Sequence, residues 1–88
     1  MHEASLLSGL MRRIGEIAAA EGVRRITGVS VWLGALSHMS AEHFAEHFNR
    51  AASGTLAEGA RLHVTVSADE RHERAQDVLL ESVEVETP

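Results

Sequence analysis

Apolar residues recur at helical spacing in two segments of the chain. In residues 4–21 they form one apolar face, made of Leu6, Leu7, Leu10, Met11, Ile14, Ile17 and Ala18. In residues 41–53 the apolar stripe consists of Ala41, Phe44, Ala45, Phe48, Ala51 and Ala52. Gly22 and Gly54 follow the two segments, and Ser40 precedes the second one as an N-cap residue type. The pattern therefore predicts two amphipathic helices.

Three other segments alternate with a period of two, which is typical of strands with one buried face. In residues 24–34, Val29, Val31 and Leu33 share one face, whereas Ile26, Ser30 and Trp32 share the other. In residues 60–67, Leu62, Val64 and Val66 alternate with Arg61, His63 and Thr65. In residues 78–86, Val83 and Val85 point inward and Glu84 and Glu86 outward. The alternation breaks near Leu80 and Glu81, which predicts a β-bulge there.

The element order predicts an α+β fold with two layers. Helix, strand, helix, strand and strand follow one another, so the economical arrangement is a three-stranded sheet with both helices on one face. We expect residues 1–88 to form a single domain. The charged segment 68–77 (ADERHERAQD) is longer than a hairpin needs. We therefore expect it to be solvated, and to mark a place where a segment has been inserted or lost.

Composition and charge argue against several classes of function. The chain has 88 residues with a net charge of −5, from 8 basic and 13 acidic side chains. An acidic balance argues against general nucleic-acid binding and against an anionic membrane surface. No apolar run reaches the roughly 20 residues of a membrane span, and the N-terminus lacks a signal-peptide pattern. These features predict a cytoplasmic protein.

Cysteine is absent, whereas histidine occurs six times. Disulfides, iron–sulfur clusters, thiolate zinc sites and a cysteine nucleophile are thereby excluded. A transition metal would have to be held by imidazole, carboxylate or backbone nitrogen. The chain also has no glycine-rich phosphate loop and no G-x-S-x-G motif, so we do not expect an enzyme.

The N-terminal Met1-His2-Glu3 can chelate a metal. The α-amine, one or two backbone amide nitrogens and the His2 imidazole can close fused rings around one ion, and Glu3 can add a carboxylate. Deprotonated amides favour square-planar Ni(II) or Cu(II), and binding weakens as pH falls. The alternative is a frayed polar N-terminus.

A second histidine motif lies in the second predicted helix. His43 and His47, with Glu46 between them, match H-x-x-E-H, in which two histidines hold zinc and a glutamate acts as base. A peptidase is rejected, because 88 residues offer little room for a third ligand and a substrate cleft. Two alternatives stay open, namely histidines at the core boundary or an auxiliary metal pair.

The remaining candidates are single residues. Trp32 points outward on the first strand, where it forms a partner contact or lies over a neighbouring side chain of its own sheet. His63 and His72 are expected to be surface histidines. His38, in the loop after the first strand, could approach the N-terminus in the folded protein.

Four short segments in order resemble the HypA/HybF family of nickel metallochaperones, which supply nickel to [NiFe]-hydrogenase and, in some organisms, to urease. Residues 1–5 (MHEAS) resemble its M-H-E-x-S start, and residues 31–37 (VWLGALS) its strand and loop R-I-G-E-L-S. Residues 54–62 (GTLAEGARL) resemble G-T-x-A-E-G-A-x-L, and residues 81–86 (ESVEVE) the closing S-I-E-V-E. The correspondence needs no gap across residues 1–67.

The resemblance implies Ni(II) binding at Met1, His2 and Glu3. His38 does not belong to the family pattern, and we consider it as an auxiliary ligand because it could approach the N-terminus. It implies maturation partners, namely a HypB-type GTPase and the hydrogenase large subunit, and a chaperone rather than an enzyme. If the metal site has been lost, the alternative is an adaptor module of a maturation complex that keeps the fold.

The chain departs from the family in three ways. The family's zinc module, with two cysteine pairs, is inserted where this chain has only residues 68–77, so we expect no structural zinc. Ala35 stands where the family usually has glutamate, and Ser40 where it often has an acidic residue. Loss of these carboxylates bears on the affinity and geometry of a nickel site.

Overall fold

The structure is a computed structural model that describes residues 3–86. Its elements, in chain order, are α1 (Glu3–Glu21), β1 (Ile26–Leu33), α2 (Ala41–Ala52), β2 (Arg61–Val66) and β3 (Val78–Val85). The predicted order of helix, strand, helix, strand and strand is confirmed, and each strand is slightly shorter than its pattern suggested. Within residues 3–86, no helix is long and apolar enough to span a bilayer.

The sheet has the order β2-β1-β3, so the first strand of the chain lies in the middle. β1 pairs in parallel with β2 and antiparallel with β3. A parallel pair needs a crossover connection, which α2 provides between β1 and β2. The edge strands β2 and β3 are consecutive in the chain but are not neighbours in the sheet.

Both helices cover one face of this sheet, as predicted, and the core lies between the two layers. The buried residues of this core come from α1, β1, α2 and the segment after α2, and are Leu7, Ile14, Ala18, Ile26, Val29, Val31, Leu33, Phe44, Phe48, Ala52 and Ala57. Phe44 and Phe48 are fully buried, and their rings stack with centroids 6.2 Å apart. The two phenylalanines on α2 and the four buried aliphatic residues of β1 form the centre of an α+β fold.

One face assignment from the alternation pattern is wrong. Ile26 was placed on the outer face of β1, but it is buried in the core together with Val29. The register to β3 shifts between Ile26 and Gly28, which face the consecutive residues Val85 and Glu84. One extra residue in β1 therefore changes the phase of the alternation, as a β-bulge does.

The irregularity expected in the last strand is confirmed. Ser30 pairs with Ser82, whereas the next residue, Val31, pairs with Leu80. Glu81 is thus the extra residue on β3, and it is exposed to solvent. Leu80 and Val83 are three positions apart and would point to opposite faces of a regular strand, but the bulge allows both to pack against the core.

The connection between β2 and β3, residues 67–77, contains the charged segment 68–77 and passes over the end of β1. Leu33, the last residue of β1, pairs with Val66 on one side and with Val78 on the other. The segment must therefore cross two strand spacings of about 4.8 Å each, which a tight hairpin cannot do. It is mostly exposed as expected, but Ala75 is buried. This sheet order is a sufficient structural reason for a connection longer than a hairpin.

Candidate functional site

A groove of about 650 Å³ lies where four parts of the chain meet. The first turn of α1 contributes Leu6, the loop between β1 and α2 contributes residues 36–39, and α2 contributes His43. Residues near the start of β3 complete the lining, namely Arg74, Gln76, Asp77 and Val78. Apolar and ionisable side chains share this lining, so the groove suits a polar ligand held against an apolar wall.

The loop between β1 and α2 is held in a defined conformation. The Gly34 N–H donates to the Asp77 carbonyl at 2.9 Å, and the Leu36 N–H donates to the Ala75 carbonyl at 2.7 Å. His38 follows with a φ of 60°, a left-handed conformation in which histidine is enriched among residues other than glycine. The exposed His38 side chain lines the groove as a consequence.

Ser37 is the polar residue of this loop that sequence reasoning missed. Among residues 3–86, its Oγ is the buried side-chain oxygen or nitrogen atom that has no hydrogen-bond partner. Ser37 also lines the groove. No sequence signal distinguishes it from other loop serines, because its burial arises when residues 74–77 fold over the loop.

Arg74 and Asp77 form an ion pair at the groove, with the guanidinium Nε donating to a carboxylate oxygen of Asp77. This hydrogen bond, with the negative charge of Asp77, raises the pKa of Arg74 above its ordinary value. Arg74 is protonated at neutral pH in any case, so the pair causes no pH dependence there. The i, i+3 spacing of opposite charges was the available sequence signal.

The predicted nickel ligands are only partly covered by the structure. Met1 and His2 lie outside the described residues, and so does the side chain of Glu3. Leu6, three residues after Glu3, lines the same groove as His38. The fold therefore brings the first turn of α1 beside the loop that carries His38. The approach of His38 to the N-terminus itself stays a prediction.

The two positions that depart from the family pattern lie in the same loop. Ala35 is half-buried just after β1. Ser40 caps α2, because its Oγ accepts a hydrogen bond from the His43 N–H at 3.1 Å. Its predicted role as an N-cap is confirmed.

The histidines of α2 lie side by side. The ring centroids of His43 and His47 are 4.4 Å apart, with the ring planes inclined at 52°. His43 is exposed and His47 half-buried, on the flank of the helix whose core face holds the phenylalanines. The described side chains, those of residues 5–86, contain no cluster of three or more His, Cys, Asp or Glu groups that could hold a metal ion.

Trp32 lies on the sheet face opposite to the helices. Its ring contacts the ring of His72, with centroids 4.9 Å apart and planes inclined at 49°. This ring contact joins Trp32 to the segment between β2 and β3. Neither of the two predicted alternatives, a partner contact or a neighbouring side chain of the sheet, named it. Trp32 is half-buried, whereas His63 on β2 is exposed as expected.

Comparison with known proteins gives one matching family. Residues 1–83 match the model of the family described as HypA, hydrogenase/urease nickel incorporation metallochaperone. A hydrogenase maturation factor HybF of Salmonella typhimurium is 41% identical over 64 residues, which are 73% of this chain and 57% of that protein. HypA of Acidithiobacillus ferrooxidans is 38% identical over 69 residues, 77% and 61% of the two chains.

HypA of Escherichia coli is 36% identical over 64 residues, 73% of this chain and 55% of that protein. The chain thus spans less than two thirds of the length of the curated relatives it matches. Among solved structures, the nickel metallochaperone HypA of Helicobacter pylori superimposes with a TM-score of 0.80 at 20% identity, covering 97% of both chains. At that identity the likeness shows a shared fold.

Proposed function

The chain belongs to the HypA family, and from this premise we propose that it binds Ni(II) at its N-terminus and delivers it during hydrogenase maturation. One observation carries the proposal. The family match begins at residue 1, so the Met1-His2-Glu3 motif lies within the matched region rather than outside it. The names of the relatives, hydrogenase maturation factors HybF and HypA, agree with this role.

The chemistry of the first three residues suits nickel. The Met1 amine, the amide nitrogens of His2 and Glu3, and the His2 imidazole supply four nitrogen donors in fused chelate rings. Deprotonated amides are strong donors that favour square-planar Ni(II). Since the amine and both amides must lose protons, nickel binding is expected to weaken as pH falls.

The groove supports the proposal by its position. Leu6 and His38 line it together, and Leu6 is one turn of helix beyond the motif. We propose His38 as the auxiliary ligand, because its left-handed backbone presents an exposed imidazole at this groove. A fifth donor would convert square-planar to higher-coordinate nickel, and such a change of geometry is one way to release the ion.

The chain has fewer metal-binding groups than the family pattern, because carboxylates at two positions and all thiols are missing. Ala35 and Ser40 carry no carboxylate, so the nickel site depends on nitrogen donors. No cysteine occurs in the chain, so it cannot hold zinc through thiolates. We propose that residues 68–77 stand where other family members carry the zinc module, and that Ni(II) is the sole metal cargo of the N-terminal site.

We further propose that the protein acts in the cytoplasm without catalysing a reaction itself. Its partners would be a HypB-type GTPase and the hydrogenase large subunit, with urease maturation as a second destination. The family description names both hydrogenase and urease.

Nickel titration of the untagged protein tests the N-terminal site. Three further proteins are titrated in parallel, namely His2→Ala, the chain with a short N-terminal extension, and His63→Ala. We expect the first two to lose the visible absorption band of square-planar Ni(II) and to bind more than about tenfold more weakly. His63→Ala is the matched control, because His63 is an exposed histidine on an edge strand, and it should bind like the unchanged protein.

Equal affinity in all four proteins would contradict the nickel proposal. If partner binding in a pull-down then survives His2→Ala but is lost in Trp32→Ala, the chain is an adaptor that keeps the family fold.

A further inference from the structure

We propose that His43 and His47 form a second metal site, a two-imidazole site for divalent transition metal ions on the exposed flank of α2. Its two donors are side chains of α2, whereas the N-terminal chelate uses Met1, His2 and Glu3.

The geometry of the pair carries the inference. Residues four apart on a helix share one face, and these two rings lie with centroids 4.4 Å apart. Imidazole nitrogens bind Zn(II) at about 2.0–2.1 Å, so two ring nitrogens on one ion are about 3–3.5 Å apart. Two rings already in contact can direct one nitrogen each at a shared ion after small side-chain rotations.

The backbone under the pair is anchored to the core, so the helix is already formed before a metal binds. Phe44 and Phe48, each next to one of the histidines, are fully buried in the core. The Ser40 cap holds the first turn through the His43 N–H. The two imidazoles therefore project from a helix that is fixed by its opposite face.

The pair is accessible and lies at two grooves that arginines also line, Arg74 at one and Arg50 at the other. His43 is exposed and lines the large groove, while His47 is half-buried at a neighbouring groove that contains Leu7 and Met11 of α1. A cation near the N-terminus of α2 is disfavoured, because the positive end of the helix dipole lies there. Glu42 and Glu46 on the same turns offset this effect, although Glu46 also faces Arg50 at 3.9 Å.

The ligand count determines the kind of site. Among the described side chains, those of residues 5–86, no cluster of three metal-ligating groups occurs. The pair itself supplies two donors, and the remaining positions on the ion are taken by water or by an incoming ligand. Such a site binds weakly and exchanges quickly. Imidazole donors without thiolate select borderline ions such as Ni(II), Cu(II) and Zn(II).

Zn(II) and Ni(II) titrations of the full-length chain carrying His2→Ala test this site without the N-terminal chelate. In that chain we expect one equivalent of Zn(II) to bind, the thermal unfolding temperature to rise, and the ring signals of His43 and His47 to shift together in NMR spectra. Adding His43→Ala should weaken binding at least about tenfold and abolish the temperature rise. Alanine is a good helix former, so this variant should fold.

Two controls test whether metal binding depends on the position of these two histidines or only on the number of histidines in the chain. His63→Ala in the same background should leave binding unchanged. His43→Ala/Asn49→His keeps the number of histidines but places two of them at i and i+2, on different faces of α2, and should not restore binding.

Binding that is equal in the His43→Ala and His63→Ala proteins would overturn the proposal, and so would full rescue by Asn49→His. The N-terminal proposal is judged separately, by whether His2→Ala alone changes nickel binding in the chain with both histidines of α2 intact.

Discussion

Gly34 begins the loop that lines the groove, and its position leaves no room for a side chain. A Cβ atom there would lie 2.2 Å from the backbone carbonyl oxygen of Ala75, so the two segments could not stay in place. We expect Gly34→Ala to lower the free energy of unfolding by about 1–3 kcal/mol, measured by urea denaturation.

Gly9→Ala is the matched control for this change. Nothing lies within 4 Å of a Cβ atom at Gly9 in α1, so the substitution should raise stability by about 0.5–1 kcal/mol through helix propensity. A Gly34→Ala protein as stable as the unchanged one would show that residues 67–77 do not pack over the end of β1 as described.

At the scale of one element, the stability of α2 depends on its N-cap residue, Ser40, which also lies next to the groove. Ser40→Ala removes the acceptor for the His43 N–H, and we expect a loss of about 1 kcal/mol in the free energy of unfolding. Ser40→Asp keeps a capping oxygen and adds a carboxylate beside the groove. It should therefore keep the stability while increasing nickel affinity in the titration.

Ser8→Ala controls for loss of a hydroxyl on a helix, because Ser8 is exposed within α1. It should change stability by no more than about 0.5 kcal/mol. If Ser40→Ala and Ser8→Ala are equally stable, the Ser40 side chain does not cap α2 in solution.

At the scale of the whole molecule, α1 is held to the sheet by a narrow set of contacts. Ile14 is fully buried between the layers, whereas Ile17 on the same helix is only half-buried. We expect Ile14→Val to lower the free energy of unfolding by about 1 kcal/mol, and Ile17→Val by less than about 0.5 kcal/mol. Urea denaturation of the two variants measures this difference, and equal losses would contradict the described docking of α1.

The helices and the candidate metal ligands could be predicted from the sequence, because both depend on local spacing. The apolar stripe of α2, the Ser40 cap and the bulge at Glu81 were all readable in this way. The burial of Ile26 was not, since the bulge that turns it inward follows from the pairing with β3. Ser37 and Gly34 were missed as site residues because their environment is made by residues 74–77.

The sequence by itself determined the class of fold, the order of the elements, the absence of thiolate chemistry and the family resemblance. These follow from residue types and from spacings within one helix or strand. Only the tertiary structure decided that β1 lies in the centre of the sheet, between a parallel and an antiparallel neighbour. This strand order brings Leu6, His38 and His43 to one groove, because the segment after β2 must cross the end of β1 to reach the other edge of the sheet. Contacts between residues far apart in the chain create this groove, and no local pattern encodes them.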